Sequence, residues 1–284
     1  MLPIIPGWVL IFFGLALISP KLATRARRLL LWWFFKNDIV CLKDWKKNQI
    51  SLGFTTKRFP LILRKTDDLL DAGNQKKLTN LFSADKTIRA LFPGSLKKFV
   101  VLNQVHGDGV EVLSDAALHE KEGFYPLLSC DAAMTNIQGL TLLVLSADCL
   151  PIFFNAGDWI ASAHAGWKGS EKKIAQKTLK LLLEKSGTEA KNAKIIFGPS
   201  IRLRHYEVGP EFKKYFPESS FRRKKNKLYF DLAQENSRQL LQAGVLEKNL
   251  FDCGICTFDR NNHFHSYRKE KETAGRIISF IVKN

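Results

Sequence analysis

The chain has no regular cysteine framework: its five cysteines, Cys41, Cys130, Cys149, Cys253 and Cys256, are odd in number and unevenly spaced over 284 residues. That excludes a small disulfide-stapled scaffold and points to a reducing compartment. No internal repeat recurs and no low-complexity linker interrupts residues 48–284, which excludes a solenoid and argues for one domain there. Acidic residues are few beside basic ones, 27 against 44, giving a formal charge of +17. Apolar residues make up 45% of the chain, enough for a packed core, so disorder is not the expectation.

The excess charge is spread rather than concentrated. Residues 1–47 hold eight lysines and arginines and two aspartates, a surplus of six, which leaves eleven for the rest. The one dense cluster beyond is Arg222, Arg223, Lys224, Lys225 and Lys227, set between a Pro-Glu-Ser-Ser turn and Leu228-Tyr229-Phe230. It reads as a solvated hairpin loop, with a phosphate or lipid contact as the alternative, and no nucleic-acid partner is expected.

Charge is missing altogether from Leu2 to Ile18, 17 residues at the lower edge of what crosses a bilayer. There is no basic leader and no small-residue cleavage site, and Lys21, Arg25, Arg27 and Arg28 follow directly. The expectation is a retained hydrophobic helix that anchors the chain, with everything after Lys21 in the cytoplasm, at a bacterial inner membrane. The Trp-rich stretch Leu29 to Phe35 would lie at the interface or pack on the domain as an ordinary helix. Residues 1–47 then form an anchor with a basic, aromatic interfacial segment, and 48–284 the folded unit.

Within that unit short apolar strands, among them Phe99 to Leu102, Leu140 to Phe154, Trp159 to Ala163, Ile195 to Phe197 and Ile277 to Val282, alternate with helices. One helix is expected over Ser170 to Lys185, with Ser170 as its cap, Ile174, Ala175, Thr178, Leu179 and Leu182 on one face, and Gly187 past its end. A second runs from Asp231 to Ala243 and is closed by Gly244.

The most informative stretch is residues 142–169, where two apolar runs flank Asn155-Ala156-Gly157-Asp158 and read as a hairpin. With Ala156-Gly157 as a two-residue turn, Cys149 lies directly opposite His164 on one face, within reach of a shared metal ion. A one-residue slip at Pro151 would put them on opposite faces. His106 ends another strand beside Gly107 and can supply a third ligand, leaving a zinc ion an open position. A Cys–His nucleophile pair fits the same geometry. Cys253-Gly-Ile-Cys256 has zinc-like spacing but no second pair of ligands at the expected distance, and His263-Phe-His265 has no obvious partner; both read as structural.

These motifs resemble the YfiH family, also called the laccase-domain or multicopper polyphenol oxidase-like family. The matching residues are Gln104-Val-His-Gly107, Asp131 to Asn136, Ala147-Asp-Cys-Leu-Pro151, His164 to Gly169, Gly198-Pro-Ser-Ile201, Tyr206-Glu-Val-Gly209, Asp231-Leu232, Cys256-Thr257, Ser266-Tyr-Arg-Lys269 and Gly275-Arg276. The resemblance implies an α/β (α+β) fold, a single mixed-sheet domain layered α/β/β/α, with one catalytic zinc held by His106, Cys149 and His164. It implies phosphorolysis of adenosine, inosine, guanosine and S-methyl-5'-thioadenosine and deamination of adenosine, with zinc activating water for attack at C6. Asp148 is then a proton carrier or a structural carboxylate, and Lys57, Arg58, Lys168, Arg202 and Arg268 are candidates for the phosphate or substrate site. The chain departs from the family where Lys57 replaces an arginine and Gln75 follows Asn74, changes that limit or redirect activity. Six histidines are too few for a true multicopper laccase, although copper could occupy the triad adventitiously. Peptidoglycan editing, the hydrolysis of wrongly built cell-wall precursors, and a non-catalytic membrane-associated zinc protein are the alternatives; oligomeric state is not legible.

Overall fold

A computed structural model describes residues 39–42, 50–84, 98–114, 122–127 and 129–284. The expected apolar segment 2–18 and the stretch 29–35 lie outside these residues. The anchored location is corrected all the same: among the described residues no helix is long and apolar enough to cross a membrane.

Two six-stranded mixed sheets, not one, make the body of the fold. The first runs, in spatial order, β1 (Ile39–Leu42), β2 (Ile50–Thr55), β15 (Ile277–Lys283), β7 (Leu140–Ser146), β3 (Lys98–Leu102) and β5 (Gly123–Leu127). The second runs β14 (Leu250–Asp252), β10 (Lys194–Phe197), β8 (Leu150–Ala156), β9 (Trp159–Ala165), β6 (Ala132–Thr135) and β4 (Val110–Leu113). A small third sheet contains β11 (Glu207–Val208), β13 (Lys227–Phe230) and β12 (Phe221–Lys224). Strand β1 precedes the boundary drawn at residue 48 yet pairs along its whole length with β2.

The central strands are buried on both faces, which is why they read as apolar runs rather than as alternation. One core lies between the sheets, where Leu52, Val100, Leu142, Val144 and Ile281 of the first meet Ala133, Phe153, Ile160 and Ile196 of the second. On the outer face of the first sheet, helix α1 (Ala72–Ala84) sets Leu78 and Phe82 against Phe99, Leu143 and Phe280. On the outer face of the second, α3 (Ile174–Ser186) and α4 (Leu232–Gln242) cover Ile152, Phe154, Ala161 and Ile195. The layering is therefore helix, sheet, sheet, helix.

Helix α3 begins later than expected. The chain first makes a short helix α2 (Trp167–Glu171), then reverses through Lys173 at a left-handed φ of 63°. Ser170 is consequently no cap: it is buried, and its hydroxyl accepts from Asn236 of α4. The predicted apolar face is the buried one, and Gly187 closes the helix in the left-handed region. Asp231 caps α4, accepting from the Gln234 amide. The basic cluster forms the β12–β13 hairpin, turning through Lys225 and Asn226, both at positive φ.

Candidate metal centre

Two crossings between the sheets bring the chemistry to one rim. Residues 103–109 carry the chain from β3 to β4, and the three-residue link Ala147-Asp148-Cys149 carries it from β7 to β8. Gln104 pins the first crossing to the second sheet-changing strand, its side-chain amide donating to the Leu145 carbonyl and accepting from the Leu145 amide. His106 sits on the first link, Cys149 on the second, and His164 near the end of β9.

The hairpin register differs from the sequence expectation by two residues. Trp159 pairs with Ala156, so Gly157-Asp158 is the turn, with Gly157 at φ 54° and the Asn155 amide tying down the carbonyls of Gly157 and Trp159. His164 therefore faces Pro151, and Cys149 stands diagonally beyond it, just outside the strand. Because side chains alternate with period two, an even shift keeps Cys149 on the His164 side. The expected proximity survives although the expected pairing does not.

The ligand atoms of His106, Cys149 and His164 all lie within 4.8 Å of one another. The Cys149 sulfur is 3.9 Å from His106 Nε2, and the two imidazole rings meet edge to face at 4.9 Å. These separations are ones that a cation bound at about 2.0–2.3 Å draws together. The donor set, one soft thiolate and two imidazoles, suits zinc or copper better than calcium or magnesium.

Asp131, on the other flank of His164, organises the trio and was not singled out from sequence. Its carboxylate sits 2.8 Å from His164 Nδ1, and its backbone carbonyl accepts from the His164 amide. The same carboxylate accepts from three consecutive backbone amides, those of Val105, His106 and Gly107. His106 takes a left-handed φ of 58° so that these N–H groups converge, forming an anion-binding concavity. One carboxylate thus fixes the backbone beneath one prospective ligand and the ring of another. It directs His164 Nε2, the remaining ring nitrogen, toward the cluster. The legible signal was the charged Asp131 at the head of an otherwise apolar strand.

Burial acts against ionisation at each of these groups and is overcome. Burial raises the Asp131 carboxyl, but the His164 ring and the backbone donors hold it below its ordinary range. Burial raises the Cys149 thiol, yet the His164 charge and the contacts with His106 and His164 pull it down toward thiolate. Burial lowers His164, and the Cys149 charge and Asp131 push it up. The cluster therefore favours an ion pair between the Cys149 thiolate and protonated His164, and a bound cation would take the place of the proton on the His164 ring.

Gly166 lets the pieces close. A Cβ there would stand 3.0 Å from the Cys149 sulfur and 3.1 Å from His106 Cδ2. At φ −75° an alanine is conformationally unstrained. Gly166→Ala is thus expected to spread the donors and lower metal affinity about 10–100-fold, the size of a positioning defect, with little change in melting temperature. Competition against a chromogenic chelator reads the affinity, and an unaltered value refutes the close approach.

The trio borders a cavity of about 470 Å³. Tyr206, Tyr267, Leu145, Ile201 and Leu232 supply aromatic and apolar wall, while Arg268, Arg276 and Lys65 supply positive charge. The Arg268 guanidinium lies over the Tyr206 ring at 5.3 Å and donates to the Glu207 carbonyl. Of the five cations expected at the substrate, only Arg268 borders this cavity. Lys57 pairs with Glu270 at 2.6 Å, and Arg202 is tied to Asp252 and to the Gly198 and Ile255 carbonyls. Lys168 is exposed beside the Trp167 ring, and Arg58 is exposed on the loop after β2. Arg276 and Lys65 were missed as cavity cations; only Arg276 belonged to a matched motif. Asp148 borders the cavity, but both its oxygens are engaged at 2.6 Å, by the Thr257 hydroxyl and the Arg268 amide. That occupancy fits a brace rather than a proton carrier.

The family model described as multi-copper polyphenol oxidoreductase laccase matches residues 80–284. The chain is 35% identical over 158 residues to a purine nucleoside phosphorylase of Aquifex aeolicus, covering 55% of this chain and 72% of that one. It is 27% identical over 258 residues to the purine nucleoside phosphorylase YlmD of Bacillus subtilis, covering 84% and 92%. In fold it is similar to the crystal structure of the Bacillus licheniformis hypothetical protein YfiH, with a TM-score of 0.71 and 22% identity over 87% of this chain and 97% of that one.

Proposed function

The chain belongs to the multi-copper polyphenol oxidoreductase laccase family, the YfiH family, and we propose that it is a zinc-dependent purine nucleoside phosphorylase. The observation that carries the reading is the convergence of His106, Cys149 and His164 at the edge of a cavity with aromatic walls and arginines. These three residues would hold the ion, which when bound supplies a Lewis acid able to polarise a substrate oxygen.

The rest is the work of side chains. Tyr267, and Tyr206 on the side that Arg268 does not cover, offer the flat, polarisable surface that a purine stacks on. Arg268 and Arg276 offer planar N–H edges that match the oxygens of phosphate, the second substrate. Asp148 positions Arg268 by accepting its backbone amide, while Thr257 keeps that carboxylate in place. The Lys57–Glu270 pair acts one step farther out, because Glu270 also accepts from the Ser266 amide at the head of the segment that carries Arg268. Lysine in place of arginine at position 57 therefore bears on loop position rather than on substrate contact.

Zinc analysis of the purified chain, followed by assays on adenosine, inosine, guanosine and S-methyl-5'-thioadenosine with phosphate, tests the proposal. Phosphate-dependent release of free base supports it; loss of ammonia from adenosine would add the deaminase activity that the family resemblance implies. Correction of cell-wall precursors without nucleoside turnover would replace it with the editing reading. Arg268→Ala is expected to lower kcat/KM for phosphate about 10–100-fold, the worth of one or two charge-assisted hydrogen bonds. Saturation curves in phosphate at fixed nucleoside check it, and an unchanged KM for phosphate removes Arg268 from the anion site.

A further inference from the structure

The Cys253-Gly-Ile-Cys256 spacing lacked companion ligands in the sequence, and the fold supplies them to Cys256 alone. Cys256 begins a tight turn closed by the Arg260 amide on the Cys256 carbonyl at 2.9 Å. Such a turn brings side chains three apart to one side, here Cys256 and Asp259. Phe258, between them, stacks on His205 with ring centroids 4.5 Å apart and planes 13° from parallel. The stack sets the imidazole beside the turn, with His205 Nε2 2.6 Å from Asp259 Oδ1. The ligand atoms of His205, Cys256 and Asp259 all lie within 4.8 Å of one another.

We propose that His205, Cys256 and Asp259 form a second zinc site, separate from the His106–Cys149–His164 cluster and structural in role. Thiolate, imidazole and carboxylate are all established zinc donors. Binding takes the Cys256 thiol to thiolate, its proton leaving to solvent, and replaces the hydrogen bond between His205 and Asp259 with two bonds to the metal. The Cys256 side chain is buried and Asp259 borders a solvent-open cavity of about 740 Å³, so one donor anchors the ion from within while the site keeps a path for entry.

The surrounding charge sets the strength. Arg204 reaches Asp259 Oδ2 at 3.3 Å, but its side chain is 81% exposed and can swing into water at small cost. Arg260 in the same turn adds like charge, which makes this the weaker of the two sites. Its consequence reaches the first site through one residue: Thr257, adjacent to Cys256, donates to Asp148, and Asp148 adjoins Cys149. An ion that stiffens the 256–260 turn therefore stiffens the brace behind Cys149.

Equilibrium dialysis of the full-length chain against excess buffered zinc, with metal counted per chain, tests the assignment. Two ions are expected for the unaltered protein, one for H106A/C149S, one for C256S and one for D259A. Asp259 is exposed, so D259A reports on the site without the risk to folding that a change at buried Cys256 carries. No loss of metal in C256S or D259A relative to the unaltered protein, or none bound by H106A/C149S, would each overturn the proposal; one ion in the unaltered protein that H106A/C149S keeps and D259A loses would support this site and unseat the first.

Discussion

Replacing His164 with alanine is expected to abolish metal binding at the triad and, with it, the proposed turnover of purine nucleosides. His164 is 2% exposed and stands between Pro151 on one neighbouring strand and Asp131 on the other. Its Nδ1 is held 2.8 Å from the Asp131 carboxylate, which fixes the direction of the ring. Alanine deletes one of three protein ligands and leaves the buried Asp131 carboxylate without its ring partner, so stability falls as well as metal affinity. His106→Ala separates the two effects, because His106 is exposed and its side chain does not hold Asp131. It should lose zinc and activity with its melting temperature nearly intact. Phosphate-dependent base release that persists in both variants would sink the metal-dependent reading.

Asp131→Asn is the second large effect, and it tests the carboxylate that sequence reasoning overlooked. Asparagine keeps the shape but offers one acceptor oxygen where three backbone amides and a ring nitrogen now converge. The amide nitrogen would be turned on donors, in a position that is fully buried. We expect a loss of about 3 kcal/mol in folding stability and a fall of about 10–100-fold in zinc affinity from the misdirected His164 ring. Denaturant unfolding with and without zinc measures both. A variant as stable as the parent, with the same affinity, would mean that Asp131 only fills space.

The members of the metal cluster were legible because each leaves a local mark. Cys149 and His164 flank one hairpin, and a two-residue error in its turn moved their pairing without moving them to different faces. His106 was legible beside Gly107, although the strand expected to end on it stops at Leu102. What escaped was what joins them. Asp131 is 25 residues from His106 and 33 from His164; its charge at the head of an apolar strand marks it as unusual, but nothing local says that it receives three amides. The cations behaved likewise. Arg202 and Lys57 stand beside matched motifs, yet each is held by a carboxylate far along the chain, Asp252 and Glu270. Lys65 has no motif at all and reaches the cavity only through the fold.

By itself, then, the sequence determined the alternation of buried strands and helices, the apolar face of α3, the basic hairpin and the identity of the metal-binding candidates. Each follows from periodicity, turn chemistry or a short motif, which act over a few residues. The tertiary structure decided that there are two facing sheets rather than one. It also set the hairpin register, placed Asp131 behind the triad, and brought Arg268, Arg276 and Lys65 to the cavity. Those outcomes depend on which strands pair and which sheet a chain segment crosses to, and such long-range pairings write no pattern into the segments they join.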